Sequence, residues 1–345
     1  MNRILNQLPS PIGMQKNTIV DLLLKEEFGA LPSAPDSVTA TLEKSDKSFC
    51  AGKADLQTLS LHCKAAWGEF SFPVYYVCPK HADKPVPCFI HINFSDRIPD
   101  RYQPTEELVD AGYATLTFCY TDVSSDDGDF SNGLAGIVYP DGRQTDEGCG
   151  KIGLWAWAAC AVMEYAQMLP ELDHAKICVA GHSRLGKTAL LAGAMDERFF
   201  CAFSNDSGCG GAALARENTG ETIRKIVDRF PYWFCKNYQN YAENEQAMPF
   251  DQHYLLVANL PHRVYVASAA GDAWACPTNE YLSCVAASEH YEKVIGSGFV
   301  HPDRLPNVGE CFHEGYIGYH MRAGSHYFSR EDWHYYIKFL NTQKD

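Results

Sequence analysis

The sequence predicts an α/β fold: a mostly parallel central sheet flanked by helices, with an antiparallel N-terminal edge. Three observations carry this. Residues 37–78 alternate in strand fashion. Short apolar, β-branched runs further on alternate with helical stretches. One run, Ile177–Ala194, passes from strand to helix across a single tight turn. Strands and helices alternating at this spacing imply βαβ units and a parallel sheet.

Residues 1–36 read as an N-terminal arm with one helix near Ile19–Glu27, and residues 37–345 as a single domain. Val38–Leu42, Leu56–Leu61 and Phe70–Val77 form the antiparallel edge. Pro85–Asn93 and Tyr113–Tyr120 read as buried strands, with a helix near Pro104–Ala111 between them. Residues 121–150 form a polar loop rich in Asp and Gly, and Lys151–Leu169 is a long helix. After Ile177–Ala180 and its helix comes the short strand Cys201–Ser204. Residues of about 207–255, with a Gly-rich turn and the aromatic run Phe230–Phe234, read as a cap-like insert. Arg263–Ser268 is a further strand, followed by a helix reaching about Val294. The final helix is Glu331–Leu340.

The chain has 345 residues, 46% hydrophobic and 21% charged, an ordinary soluble composition. Its net charge of -14 argues against nucleic acid or an anionic membrane as partner, since phosphate recognition needs clustered Lys and Arg. No run is long and apolar enough to span a bilayer. The first residues, MNRILNQLPSPIGMQKN, show no signal-peptide pattern, so a cytoplasmic location is expected unless a leader was trimmed. Fourteen cysteines are scattered without a C-x-x-C pair, which favours reduced thiols used as small hydrophobes.

The chemistry concentrates in Gly181-His-Ser-Arg-Leu-Gly-Lys-Thr188. A strand, a sharp turn with serine at its apex and a helix make the nucleophile elbow of α/β-hydrolases. The same residues satisfy G-x-x-x-x-G-K-[ST], the phosphate-cradling P-loop. The spacing fits the P-loop better, because Leu185 stands where an elbow carries its second glycine. Context favours the elbow. Several strands precede it, whereas a P-loop generally follows the first strand of its domain. An acid and a histidine also follow in the order a serine hydrolase needs: Asp206 and Asp272 after strand ends, then His326 before the last helix. Arg184 in the first helical turn is unfavourable beside the helix dipole, which points to a functional cation. His182 reads as a spacer or as a partner supporting the groups around the serine, and His253 and His320 as structural.

These residues resemble the glucuronoyl esterases, carbohydrate esterase family 15, whose signature is G-C-S-R-x-G-K. The resemblance extends through Asp126–Gly133, Ser204–Gly211, Trp233-Phe234, Leu255, Asp272–Trp274, Ile317–Arg322 and Gly324–Trp333, or roughly residues 100–340. It implies a serine esterase that cleaves esters of 4-O-methyl-glucuronic acid through an acyl-enzyme, without metal or organic cofactor. Ser183 maps on the nucleophile and His326 on the base. The family glutamate falls at Asp206, the first choice of acid, with Asp272 the second. Arg184 maps on the oxyanion stabiliser, Lys187 and Trp274 on sugar contacts, and Glu221 and Trp233 on weaker ones. The alternative within the fold is an acetyl xylan esterase. From other classes the alternatives are a P-loop nucleotide-binding protein and a non-catalytic carbohydrate-binding protein. The expected partner is a carbohydrate ester, and no oligomeric state follows from the sequence.

Overall fold

A computed structural model describes residues 2–80 and 84–343. Ten strands make one sheet: β1 (Ser37–Phe49), β2 (Ala54–Ala65), β3 (Gly68–Pro79), β4 (Val86–Asn93), β5 (Ala114–Cys119), β6 (Leu172–His182), β7 (Cys201–Asn205), β8 (Arg263–Ala269), β9 (Cys311–Phe312) and β10 (Ile317–Arg322). Their order is β1-β2-β3-β5-β4-β6-β7-β8-β10-β9. The run β5-β4-β6-β7-β8-β10 is parallel, while β1-β2-β3-β5 and β10-β9 pair antiparallel. This is the mixed sheet of an α/β-hydrolase, as the strand–helix alternation predicts.

Burial follows position in the sheet. Every residue of β5, β7 and β10 is buried, because both sheet faces are covered. The edge strand β1 is exposed along most of its length and carries Glu43, Lys44, Asp46 and Lys47, charges that discourage pairing with another chain.

The described residues include α1 (Lys16–Leu23), α2 (Thr105–Asp110), α3 (Lys151–Ala166), α4 (Arg184–Met195), α5 (Ile223–Arg229), α6 (Pro277–Ile295) and α7 (Arg330–Thr342). Helix α3 (KIGLWAWAACAVMEYA) is apolar on every side, and such a helix must be enclosed. Trp155, Ala158, Val162 and Met163 are accordingly fully buried. One core joins α3, α4 and α6 to a sheet face, and a second packs Trp333, Tyr336 and Phe339 of α7 against Phe89, Phe203 and Tyr265 on the other.

The structure differs from the sequence expectation at three places. The N-terminal helix ends at Leu23 and continues as a π-turn, Leu24–Phe28. Residues 121–150 are not all loop, since Gly133–Val138 is helical. Strands β9 and β10 were not predicted as strands. Strand β10, IGYHMR, lacks period-2 alternation because it is buried on both faces.

The fourteen cysteines are all free. No helix of the described residues is long and apolar enough to cross a membrane.

Candidate active site

The strand-to-helix turn between β6 and α4 forces Ser183 into φ 58°, ψ −127°. A side chain pays strain there, and such strain persists only where surrounding structure overdetermines it. Two features do so. Ser183 N–H donates to Asn205 O on β7 (2.8 Å). A Cβ at Gly181 would lie 2.1 Å from Leu185 O, so the turn closes this tightly only over glycine.

The Ser183 hydroxyl meets His326 Nε2 at 3.0 Å, and His326 Nδ1–H donates to Asp272 Oδ2 at 2.5 Å. Asp272 Oδ1 accepts Ala275 N–H. Burial works to raise the Asp272 carboxyl, but the hydrogen bond and charge of His326 outweigh it and hold the group below the usual carboxylate range. An ionised carboxylate on Nδ1 fixes the tautomer that leaves Nε2 free to take the serine proton.

Asp206, the preferred acid from sequence, has different partners. Among the described residues it makes no hydrogen bond to His326. Its Oδ1 accepts Ala269 N–H (2.7 Å) and its Oδ2 accepts Arg322 Nη2–H (3.2 Å). Burial and the nearby Glu280 push its carboxyl well up, against the pull of Arg322. The order of preference is therefore corrected: of the two acids, Asp272 bonds His326. Ligating atoms of Asp206, Asp272 and His326 do lie within 4.8 Å of one another. Both carboxylates are already committed to N–H donors: Asp272 to His326 and Ala275, and Asp206 to Ala269 and Arg322.

Arg184 lies beside the serine. Its Nη1–H donates to Asp126 Oδ2, and its guanidinium stacks 4.7 Å from the Trp233 ring centre. Asp126 Oδ1 accepts Trp233 Nε1–H (2.8 Å), which locks the aromatic wall and the arginine together. The buried Nε–H of Arg184 has no partner among the described residues. A cation fixed on the residue after the serine, with a donor still unused, suits a developing oxyanion.

Lys187 is 1% exposed, and its three Nζ hydrogens go to Ser207 O (2.7 Å), Cys209 O and Glu221 Oε2 (2.6 Å). A phosphate cradle needs that lysine at the ligand, so the P-loop reading fails here. Lys187, Glu221 and Trp233, which the resemblance maps on sugar contacts, are thus also tied to internal partners. Glu221 and Trp233 are 4% and 2% exposed, because each is spent on an internal partner. Trp274 is partly exposed, flanked by Lys225 and Arg229 at 5.3 Å from its ring.

Two further groups stand at the site. Asp126 falls inside a resemblance motif, but only the fold brings it to Arg184. His182, read as a spacer or a supporting partner, packs its ring 4.4 Å from that of His326 and donates from Nδ1 to Asn205 Oδ1 (2.6 Å). Burial, then the charge of His326, lowers it to about 3, so it stays neutral beside the base. His253 contacts Pro9 O, and His320 sits between Tyr265 and Asp332, both remote from Ser183 in the hydrogen-bond pattern.

A family model of fungal glucuronyl esterases matches residues 62–295. The carbohydrate esterase MZ0003 of an unknown prokaryotic organism is 39% identical over 238 residues, covering 68% of this chain and 55% of that protein. A 4-O-methyl-glucuronoyl methylesterase of Podospora anserina is 28% identical over 295 residues, covering 82% of this chain and 56% of its own. The chain thus spans about half the length of the curated relatives it matches. Among solved structures, the glucuronoyl esterase of Solibacter usitatus superimposes with a TM-score of 0.86 at 28% identity, covering 97% of this chain and 93% of that one. The expected cytoplasmic location is overturned by these relatives, because homologues of this family are secreted, extracellular enzymes acting on plant polysaccharides. A family match over most of the chain, on a fold and a serine–histidine–carboxylate geometry that agree with it, shows that this chain belongs to the glucuronoyl esterase family of carboxylic ester hydrolases.

Proposed function

We propose that this chain is a serine esterase that hydrolyses 4-O-methyl-glucuronoyl esters of plant polysaccharide. The observation that carries the chemistry is the line of contacts Ser183 Oγ–His326 Nε2 (3.0 Å) and His326 Nδ1–Asp272 Oδ2 (2.5 Å). The uronoyl substrate is supported by relatives named 4-O-methyl-glucuronoyl methylesterase.

In this reading His326 takes the Ser183 proton as the oxygen attacks the ester carbonyl. Negative charge develops on the former carbonyl oxygen, where Arg184 and the free N–H groups of the first turn of α4 stabilise it. The imidazolium, steadied by Asp272, passes its proton to the leaving alcohol. Water then attacks the acyl-enzyme, losing a proton to His326, which passes it to Ser183 Oγ as the acyl–serine bond breaks and the uronic acid departs. Trp274 offers an apolar face to the sugar ring. Glu221, held by Lys187, shapes the wall behind it.

Hydrolysis of a glucuronate methyl ester is expected to outpace that of an acetylated xylo-oligosaccharide, and Ser183→Ala to abolish both. Full activity in Ser183→Ala would remove the mechanism. A faster rate on the acetyl ester would leave the mechanism standing and replace the substrate.

A further inference from the structure

His326 stands on the connection 323–329 between β10 and α7, where every residue from Ala323 to Tyr327 is exposed. Such a segment wanders unless something ties it down, because it has few buried contacts of its own. Yet the base it carries must meet Ser183 and Asp272 together.

The tie is Arg322, the last residue of β10, which is 3% exposed. Its Nη1 donates to Ala323 O (3.0 Å) and Ser325 O (3.3 Å), and its Nη2 to Ser325 O (3.4 Å) and Tyr327 O. These carbonyls bracket His326 in the chain. The guanidinium is itself held from two other elements. Its Nε donates to both oxygens of Asp332 (2.8 and 3.0 Å), and Nη2 also reaches Asp206 Oδ2 (3.2 Å). Asp332 in turn caps α7 through Ser329 N–H (2.7 Å) and accepts from His320 (2.9 Å). A planar fork can grip several carbonyls in fixed directions, whereas a lysine ammonium is a single point on a flexible stem.

We propose that Arg322 is a positioning residue for the esterase reaction. Braced by Asp332 and Asp206, it clamps the carbonyls on either side of His326 and holds the imidazole in line between Ser183 and Asp272. Asp206 then serves the base indirectly, as one brace of the clamp. This rests on the reading of His326 as general base. A residue that merely stabilised the fold would change melting without changing turnover in the folded enzyme.

The test is Arg322→Ala and Arg322→Lys, assayed on a glucuronate methyl ester with melting curves to establish folding. Misplacing a catalytic group by about 1 Å can cost on the order of 100-fold. The expected result is a loss of that size in kcat for Arg322→Ala with KM little changed. Millimolar guanidinium should restore part of the loss by refilling the vacated site, and Arg322→Lys should stay well below wild type. If folded Arg322→Ala keeps wild-type kcat, or its loss falls on KM alone and guanidinium does not reverse it, the clamp is wrong. Should Arg322→Ala fail to fold, Arg322→Lys decides, and wild-type kcat there overturns the proposal. Ser183→Ala on the same ester separates the two ideas. Activity surviving in it sinks the esterase reading, whereas an inactive Ser183→Ala beside an undisturbed Arg322→Lys sinks the clamp alone.

Discussion

Two aspartates approach His326, and their surroundings push them in opposite directions. Asp272 is held ionised by the imidazole it serves, while burial and Glu280 make Asp206 reluctant to lose its proton. Only the first can steady an imidazolium through Nδ1. Replacing a triad aspartate by asparagine presents the wrong tautomer to the nucleophile, at a cost of about 10⁴ in kcat. Asp272→Asn is therefore expected to lose about that much. Asp206→Asn, which keeps an oxygen for Arg322, should lose far less. Steady-state kinetics of the two variants decide the matter, and a larger loss in Asp206→Asn would reverse the assignment of the acid. The resemblance put Asp206 first, and no local pattern could reverse that order, because both aspartates follow strand ends and either could reach a histidine on a late loop.

At the level of elements, the elbow is the part most completely written in the chain. A β-branched run, a glycine, a serine and an immediate helix leave little freedom, and Gly181 is the residue that permits the turn. Its missing Cβ would sit 2.1 Å from Leu185 O and 2.4 Å from Leu185 C, backbone atoms of α4 that cannot step aside. Gly181→Ala must open the turn or unfold it. Overpacking of this kind costs roughly 1–3 kcal/mol or more. The variant should melt several degrees lower and lose most of its kcat as Ser183 moves. Thermal melting together with the rate checks both, and a stable, active Gly181→Ala would show that the turn tolerates a side chain. The neighbouring loop 124–129 depends on a longer-range device. Lys151, the first residue of α3, donates to Ser124 Oγ (2.8 Å) and Asp129 O (2.7 Å), which brings Asp126 to Arg184. That link joins residues distant in sequence, so spacing alone could not disclose it.

Across the whole molecule, buried ionisable groups set the pH range of the fold. Burial lowers His91, His253 and His313 to about 4 and His182 to about 3. Below an unfolded value near 6.5 the unfolded chain binds protons that the native state refuses, so these groups cost stability as pH falls from 6.5 towards 4. Each proton is worth about 1.4 kcal/mol per pH unit. Glu27 acts in the other direction. Burial raises it from 4.5 to about 8, its Oε1 accepts from Gln252 (3.0 Å), and its Oε2 has no partner among the described residues. Its contribution is complete below pH 4.5 and is lost as pH rises towards 8, when the native state must bury a charge. Glu27→Gln, neutral at every pH, is expected to melt like wild type near pH 5 and increasingly above it up to pH 9. A difference in melting temperature that does not grow with pH would mean that Glu27 is already ionised in the native state.

By itself the sequence determined the class of fold, the elbow and its serine, His326 as the histidine that meets that serine, and the family. These depend on local patterns: periodicity, a glycine at a forbidden Cβ position and short motifs in order. Tertiary structure alone decided which aspartate bonds the base, that Lys187, Glu221 and Trp233 face inward, that Asp126 holds Arg184, and that Arg322 grips the loop of His326. Each of these is a choice among partners far apart in the chain. Pairing in a folded protein is set by which strand ends meet at the sheet edge and by which buried charge must find a counter-charge. A linear pattern carries the groups but not their neighbours.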